Sequence, residues 1–252
     1  MLKIEGLDAI GEVRPGGDLA ALLAVALRAA GCDLAPFDVL VVTQKIVPKA
    51  EGRFVDLATI APGAEALRLA EITRKEPRLI ELVLAESSAV IRAAPHVLIT
   101  RHRSGHVMAN AGIDRSNIGP AGDDIVLLLP QDADASADRL RVALEREWPA
   151  GGFGVVVSDS FGRPWRHGVT NVAIGASGLP ALVDRRGMRD RDGRVLEVTQ
   201  VAIADMVASA AGLVTGEGAE GVPAAHVRGL HWDSAPLPAQ ALLRPVAEDL
   251  FR

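Results

Sequence analysis

The chain has 252 residues, of which 49% are hydrophobic and 23% charged, a balance typical of a soluble globular protein rather than a disordered chain. Its formal net charge of −5 argues against a nucleic-acid-binding protein, because such proteins need an excess of lysine and arginine. The single cysteine, Cys32, excludes an intramolecular disulfide and a thiolate metal cluster, and we expect it to be a small buried residue. The sequence shows neither a transmembrane stretch nor a signal-peptide pattern, so we expect a cytoplasmic protein.

The first predicted unit is a strand, a helix and a second strand. Residues 2–7 alternate as in a short strand, and the following helix begins after Asp18 as N-cap and ends at Gly31. The fully apolar run Val39–Val42 predicts a strand that is buried on both faces. Ligands of open α/β sheets bind at the carboxyl ends of strands, so the charged residues 43–53 are either part of a binding site or a plain surface loop.

The rest of the chain mixes helix and strand patterns without a regular alternation. Residues 64–91 are predicted to be helical with an interruption near Pro77, and residues 97–109 are predicted to form a hairpin. Further strands are predicted at 125–129, 155–157 and 195–201, and further helices at 135–148 and 203–213. The pattern indicates an α/β or mixed α+β fold in one unit over residues 1–252, with the Gly- and Arg-rich residues 175–194 as a candidate insertion.

Two polar segments, 110–117 and 158–166, each place an aspartate beside amide or hydroxyl side chains. The second follows the apolar run Val155–Val157, so it is predicted to deliver a carboxylate and two hydroxyls at the end of a strand. Such oxygen donors select Mg²⁺ or Mn²⁺, which normally arrive with substrate phosphates. Any one of these aspartates alone is more typical of a turn or cap, but together the segments predict the halves of one metal-nucleotide site. The candidate ligands are Asp114, Asp159, Ser160 and Glu217.

Residues 216–221 have the spacing G-x-G-x-x-G but lie in the wrong context for a Rossmann fold. That fingerprint follows a strand and opens a helix, whereas here a predicted helix comes first and Val222-Pro223 come after. The segment still offers flexible backbone N–H groups that can approach phosphates. No G-x-x-x-x-G-K-[ST] segment exists, so the sequence also predicts that the protein is not a P-loop NTPase.

Four further features have alternative interpretations. Trp165 is expected to fill a core position, with stacking on a ligand ring as the alternative. The segment Arg185–Arg194 is expected to be a solvated hairpin tip, with a patch for an anionic substrate as the alternative. His102 and His106 flank a turn, and His167 follows Trp165-Arg166. All three are expected to be structural or surface histidines rather than a general base.

Five motifs follow one another along the chain: Gly6-Leu7 with Gly11-Glu12-Val13-Arg14-Pro15-Gly16, Lys49-Ala50-Glu51-Gly52-Arg53, Asn110-Ala111-Gly112-Ile113-Asp114 with Ser116-Asn117, Ser158-Asp159-Ser160-Phe161-Gly162-Arg163-Pro164-Trp165-Arg166 with Gly168, and Ala208-Ser209-Ala210-Ala211 with Thr215-Gly216. In this order they closely resemble the coenzyme F420:L-glutamate ligases, the γ-glutamyl ligases of the 8-hydroxy-5-deazaflavin coenzyme. The resemblance runs over nearly the whole chain. It implies a two-lobed α/β homodimer that needs Mg²⁺ or Mn²⁺ and often K⁺.

The resemblance also implies the reaction: a GTP-dependent ligase adds γ-linked L-glutamate to the lactyl phosphodiester end of the deazaflavin precursor, releasing GDP and phosphate. We expect an acyl phosphate intermediate, with Lys49 and Asp159 as the catalytic residues and Lys45 as an alternative to Lys49. By the same resemblance Asp114 and Asp159 hold one divalent ion, and Ser160 and Glu217 hold a second. The expected guanine nucleotide contacts are Ile10, Gly11, Glu12, Val13, Gln44, Lys45, Lys49, Asn117, Thr215, Gly216, Glu217, Gly218, Ala219, Glu220, Gly221 and Val222.

The chain departs from the family pattern at two positions. Pro48 stands where the family often has serine, which removes a hydroxyl near the nucleotide. Glu217 stands where glutamine is frequent, which adds a negative charge that favours metal binding. Two alternative functions remain from the residues: another metal-dependent acid-amine ligase or phosphoryl-transfer enzyme, or a nucleotide-binding protein without turnover.

Overall fold

Helices and strands are distributed along the whole chain. The computed structural model describes residues 1–116 and 124–249, so the predicted nucleotide contact Asn117 lies outside the described residues. The strands are β1 (Lys3–Leu7), β2 (Val39–Thr43), β3 (Phe54–Asp56), β4 (Ser87–Ala94), β5 (Val97–His102), β6 (Val107–Ala109), β7 (Ile125–Leu127), β8 (Gly154–Arg163), β9 (Arg166–Ser177), β10 (Leu182–Asp184), β11 (Gln200–Ala202) and β12 (Ala224–Arg228). The α-helices are α1 (Leu19–Ala29), α2 (Ile46–Ala50), α3 (Ala64–Thr73), α4 (Pro77–Ala85), α5 (Ala133–Leu144) and α6 (Ile203–Thr215). The predicted mixture of helices and strands is confirmed.

The central sheet has five strands in the order β1-β12-β2-β8-β9. Strands β2 and β8 are parallel, with Thr43 opposite Ser158, so the chain leaves both strands at the same edge. Strand β12 is antiparallel to β2 and begins at that edge, and β1 is antiparallel to β12 and ends there. The segments after β1, after β2 and before β12 therefore meet beside the second half of β8.

Hydrophobic clusters cover both faces of this sheet. On one face the leucines of α1 and α5 pack on Leu40 and Val155, together with the buried Cys32. On the other face the alanine-rich α6 packs on Val41 and Val156. The side-chain alternation of strands explains this division, because successive residues of β2 and β8 point to opposite faces.

A smaller lobe has a hydrophobic cluster of its own. It contains the sheet β4-β5-β6 and the ribbon β3-β7, which pack with α3 and α4. Its buried centre includes Leu57, Leu69, Ile80, Leu98 and Val126. The chain is thus organised in two lobes, as the resemblance implied.

The helix predicted over residues 64–91 extends too far toward the C-terminus. Helix α4 ends at Ala85, and β4 follows at once and pairs antiparallel with β5. The apolar residues near Val90 are compatible with either structure, and pairing with the neighbouring strand decides for a strand. Local propensity contains no information about that partner.

The strand predicted over residues 195–201 is also mostly wrong. Only Gln200–Ala202 forms a strand, paired with β10. Val195 and Val198 are exposed, so their alternation does not mark a buried face. The preceding segment Arg185–Arg194 is an exposed hairpin tip, as predicted, and the backbone N–H of Asp190 donates to the carbonyl of Arg194.

Trp165 does not fill a core position. Its side chain is 81% exposed at the turn between β8 and β9, and its backbone φ is 58°, in the left-handed region. A residue at a two-strand hairpin tip lies outside both hydrophobic faces of the sheet. The expectation of a core plug is therefore wrong, and stacking on a ligand ring stays a prediction.

Candidate functional site

Strand β8 carries the segment Ser158-Asp159-Ser160 inside the strand. The sequence had predicted this segment at the end of the strand, so that position is corrected. Its partner β2 ends opposite Ser158, and a register shift separates Val157 from Ser158. Beyond this point β8 pairs only with β9, so the two strands leave the sheet as a ribbon. A bulge of this kind re-aims side chains, and it places the half-buried Asp159 beside the sheet edge where the other segments meet.

Asp159 lies among other charged groups. Burial raises the pKa of Asp159 to about 7, and the backbone N–H of Ser160, which donates to its Oδ1 at 2.8 Å, opposes the shift. The negative charges of Asp114 and Glu217 raise this pKa further, whereas Lys45 lowers it. Like charges raise a carboxyl pKa only at short range. The fold therefore brings the three predicted carboxylate ligands within electrostatic reach of one another.

Asp114 connects the smaller lobe to the central sheet. It pairs with Leu127 through two backbone hydrogen bonds, and its Oδ2 lies 2.8 Å from the Lys45 ammonium, which follows β2. Ser116, for which the sequence suggested no role, donates its backbone N–H to Asp114 Oδ1 at 2.7 Å and accepts from Lys45. Burial favours the neutral acid, but Lys45 and Ser116 hold the pKa of Asp114 below its usual range. The Asp-x-Ser spacing was the only sequence signal for Ser116.

The loop between α6 and β12 supplies Glu217. The predicted order is confirmed, since α6 precedes the glycine-rich segment and β12 follows it. The Ser160 hydroxyl donates to the Glu217 carboxylate, and Gly216 has a φ of 69°, which favours glycine. Glu220 accepts the backbone N–H of Gly218 at 2.7 Å, which shapes this exposed loop. Ser160 and Glu217, the pair predicted to share an ion, are thus in direct contact.

The remaining predicted nucleotide contacts lie around the same edge. Ile10 and Val13 are buried, whereas Gly11 and Glu12 between them are exposed, so the loop after β1 presents its centre to solvent. Lys49 lies half-buried on α2, and its pKa is lowered by burial and by the neighbouring Lys45. Glu12 and Asp114 oppose that shift, so these charges all surround Lys49.

Several buried polar atoms near this edge have no hydrogen-bond partner among the described residues. They are the side-chain oxygens of Gln44, Asn110 and Thr215. A buried oxygen without a donor is costly unless a ligand supplies one. Gln44 and Thr215 were predicted nucleotide contacts, and their unpaired oxygens fit that prediction.

The comparisons with known proteins decide the family. A family model described as F420-0:Gamma-glutamyl ligase matches residues 9–229. The chain belongs to the F420-0:gamma-glutamyl ligase family. It is similar to the coenzyme F420:L-glutamate ligases of Methanopyrus kandleri, at 45% identity over 100% of this chain and 98% of the relative, and of Methanothermobacter thermautotrophicus, at 42% identity over 100% and 98%. That of Halobacterium salinarum is 46% identical over 88% of this chain and 85% of its own.

Membership in the γ-glutamyl ligase family makes the chain an enzyme of the ligase class. It confirms the resemblance drawn from the five motifs. In residues 1–116 and 124–249, no helix combines the length and apolar character needed to cross a bilayer.

The donor set of this ligase fits divalent cations of the hard type. Carboxylates of Asp114, Asp159 and Glu217 and the hydroxyl of Ser160 are the ligand types that Mg²⁺ and Mn²⁺ prefer. Within the described residues, no three His, Cys, Asp or Glu side chains form a ready-made cluster. Lys45 pairs with Asp114, and the Ser160 hydroxyl donates to Glu217. Burial is the main cause of the raised pKa of Asp159, and the charges of Asp114 and Glu217 add to it; a bound cation would offset those charges.

Proposed function

We propose that this protein is a GTP-dependent ligase that joins L-glutamate in γ-linkage to the lactyl phosphodiester end of a deazaflavin coenzyme precursor. The main support is the convergence of Asp114 and Glu217 on Asp159, beside Lys45 and Lys49, in a chain of the γ-glutamyl ligase family. Its relatives bear the name coenzyme F420:L-glutamate ligase. The geometry adds an anion-binding edge with two lysines and flexible glycine N–H groups.

The proposed reaction has two steps. The carboxylate of the deazaflavin precursor is a poor acylating agent. In the first step its oxygen therefore attacks the γ-phosphorus of GTP, and the bond between that phosphorus and the GDP oxygen breaks. The glutamate amine then attacks the acyl carbon, the C–O bond to phosphate breaks, and the amine gives up its proton. The products are the amide, GDP and phosphate.

The protein's part in the proposed reaction is mainly positioning and charge. Asp114, Asp159, Ser160 and Glu217 would hold two divalent ions, which neutralise phosphate charge when bound. Lys45 and Lys49 stabilise the charge that develops on the transferring phosphoryl group. Burial and the neighbouring Lys45 lower the pKa of Lys49, and the negative charge of a bound phosphate would offset both effects. A requirement for K⁺ stays a prediction.

The nucleotide is proposed to lie along the sheet edge. Its phosphates would approach the exposed backbone of residues 216–221, and Gln44 and Thr215 would use their unpaired oxygens on hydrogen-bond donors of the nucleotide. Gly11 and Glu12 face the same space from the loop after β1. The preference for guanine over adenine is proposed from the family alone.

The substitution Asp159→Asn tests the proposal while leaving the side-chain shape unchanged. With precursor, L-glutamate, GTP and Mn²⁺ present, release of GDP and phosphate should fall at least ~100-fold, because one carboxylate ligand of the metal is lost. The matched control is Asp233→Asn, at an exposed aspartate that pairs with His231, and it should keep wild-type turnover. Unimpaired turnover in Asp159→Asn would reject the role of this residue.

Two outcomes favour the alternative functions. Wild-type protein that binds GTP but releases no GDP with any acceptor would be a nucleotide-binding protein without turnover. Glutamate- or amine-dependent GDP release with a different acid, but not with the deazaflavin precursor, would indicate another acid-amine ligase. Mass spectrometry of the product separates these cases from the proposed one.

We also infer a homodimer, as the resemblance implied. Leu213 and Met206 are exposed on the outer side of α6, and Val169 is exposed on the neighbouring β9. Large apolar side chains grouped on one side of a folded protein are typical of protein–protein interfaces.

A further inference from the structure

A cavity of about 410 Å³ lies between the two lobes, near the candidate site but separate from the predicted residues. It is bounded by the tip of the β5–β6 hairpin, the start of α5, and the chain segment near residue 240. Its lining includes His102, Ser104 and His106 at one end and Leu129, Ile174 and Pro238 along the walls. The volume lies within the usual range for small-molecule sites.

The cavity adjoins the candidate metal-nucleotide site through β8. Phe161 and Asp159 point to the same face of this strand, because they are two residues apart. The ring of Phe161 makes an edge contact with the imidazole of His106, with 6.1 Å between ring centroids. The same short stretch of chain that follows His106 leads through β6 to Asp114. His106 thus connects the cavity to the face of β8 that carries Asp159.

One end of the cavity is polar. The Ser104 hydroxyl lies 2.7 Å from His102 Nδ1 and 2.9 Å from His106 Nδ1. The backbone N–H of Ser104 donates to His102 Nδ1 at 3.0 Å, so the ring proton of His102 belongs on Nε2. That nitrogen is buried without a hydrogen-bond partner, 3.9 Å from Glu86, which in turn pairs with Arg53. Ser104 thus orients both imidazole rings at this end of the cavity.

The polar end of the cavity presents a neutral imidazole, that of His106. Burial lowers the pKa of His106 to about 4, so its imidazole is neutral at physiological pH. The described lining contains no lysine or arginine. The two aspartates of the lining already accept hydrogen bonds from the protein. Asp132 accepts from the backbone N–H of Ala135 at 2.9 Å, and Asp134 accepts from the backbone N–H of Ala239 at 2.7 Å. Such a lining suits neither a phosphate nor the two carboxylates of glutamate.

The walls are largely apolar. They are formed by Leu129, Pro130, Ile174 and Pro238, with the amides of Gln131 and Gln240 among them. We propose that this cavity binds the planar heteroaromatic ring of the acceptor, while its anionic tail lies at the lysine-lined sheet edge. The assignment rests on the proposed function for the identity of the ring. Neutral imidazole, hydroxyl and amide groups would then meet the hydrogen-bonding edge of the ring.

Binding of the ring alone tests this assignment. The probe is the deazaflavin ring with its sugar-alcohol chain but without the phosphodiester, and binding is followed by the ring's fluorescence. The variants Gln131→Trp and Gln240→Trp each place a bulky side chain at an exposed position of the lining, with little effect on folding. Each should weaken ring binding at least about tenfold, or about 1.4 kcal/mol. The control Gln200→Trp, at an exposed position outside the lining, should bind the ring like wild type.

Affinity for GDP with Mn²⁺, measured in the same variants by calorimetry, should stay at the wild-type value and shows that they are folded. Ring binding at wild-type strength in both lining variants, or none in the wild type, overturns the cavity assignment. Turnover of the wild type is a separate outcome. A wild-type protein that binds the ring through this cavity but forms no amide with glutamate would overturn the ligase proposal and leave the cavity assignment standing.

Discussion

Asp38 shows how a single buried charge is accommodated. Its side chain is 2% exposed and accepts hydrogen bonds from His226 at 2.9 Å, from Arg228 at 2.7 Å and from the backbone of Ala35 at 2.9 Å. Burial alone would raise the pKa of Asp38, but Arg228 and His226 hold it below its ordinary value of 3.8. This contact joins the start of β2 to β12, whose other ends meet at the candidate site.

The substitution Asp38→Asn should lower the free energy of unfolding by about 3 kcal/mol, because it leaves the buried His226 and the partly exposed Arg228 without their anion. The folded-state pKa is depressed, so the stabilisation is fully present above pH 3.8 and is lost as the pH falls through the lower folded value. Urea unfolding of both proteins between neutral pH and pH 3 measures this, and the variant should lose less stability on acidification. Equal stability of the two at neutral pH would contradict the assigned role; Asp233→Asn serves as the exposed control.

At the scale of elements, the close approach of α5 to the sheet depends on one glycine. A Cβ at Gly175 of β9 would collide with the backbone carbonyl oxygen of Ala133, at the start of α5. A side chain could relieve such a collision by changing its rotamer, but the backbone of Ala133 cannot, so helix α5 would have to shift. The Asp132 N-cap and the Asp134 contacts to Ala176 and Ala239 would shift with it.

Gly175→Ala should therefore destabilise the protein by about 2 kcal/mol, as overpacking of a tight contact does. The matched control is Gly162→Ala, because a Cβ at Gly162 of β8 meets nothing within 4 Å. Thermal unfolding of the two variants compares them directly. Equal midpoints would show that α5 adjusts to the added methyl group at no cost.

Element boundaries show where local patterns are insufficient. The N-caps of α1 and α5 could be predicted from the sequence, since Asp18 accepts from Ala21 and Asp132 from Ala135, both only three residues away. The change from helix to strand after Ala85 could not be predicted, because β4 owes its conformation to pairing with β5. Capping is a contact of near neighbours in sequence, whereas strand pairing is not.

For the whole molecule, the exposed apolar side chains of α6 lead to a prediction about assembly. Leu213 is 85% exposed and Met206 61% exposed, so a charge at Leu213 does not disturb the core. Leu213→Glu should convert the proposed dimer to monomer, because a carboxylate cannot be buried unpaired in an interface. Light scattering after size-exclusion chromatography measures the mass, and Val25→Glu, exposed on α1 away from this surface, is the control. A wild-type protein that is monomeric at high concentration rejects the homodimer.

The sequence by itself determined the types of chemistry available and the family. Oxygen ligands at Asp114, Asp159 and Glu217, the glycine-rich loop and the apolar β2 are properties of short segments, and they are visible without a structure. Only the tertiary structure decided that one parallel and two antiparallel pairings bring these segments to a single sheet edge, that β8 continues through Asp159, and that Trp165 is exposed. The reason is that charge interactions, burial and strand pairing depend on distances between residues far apart in the chain, which local patterns do not encode.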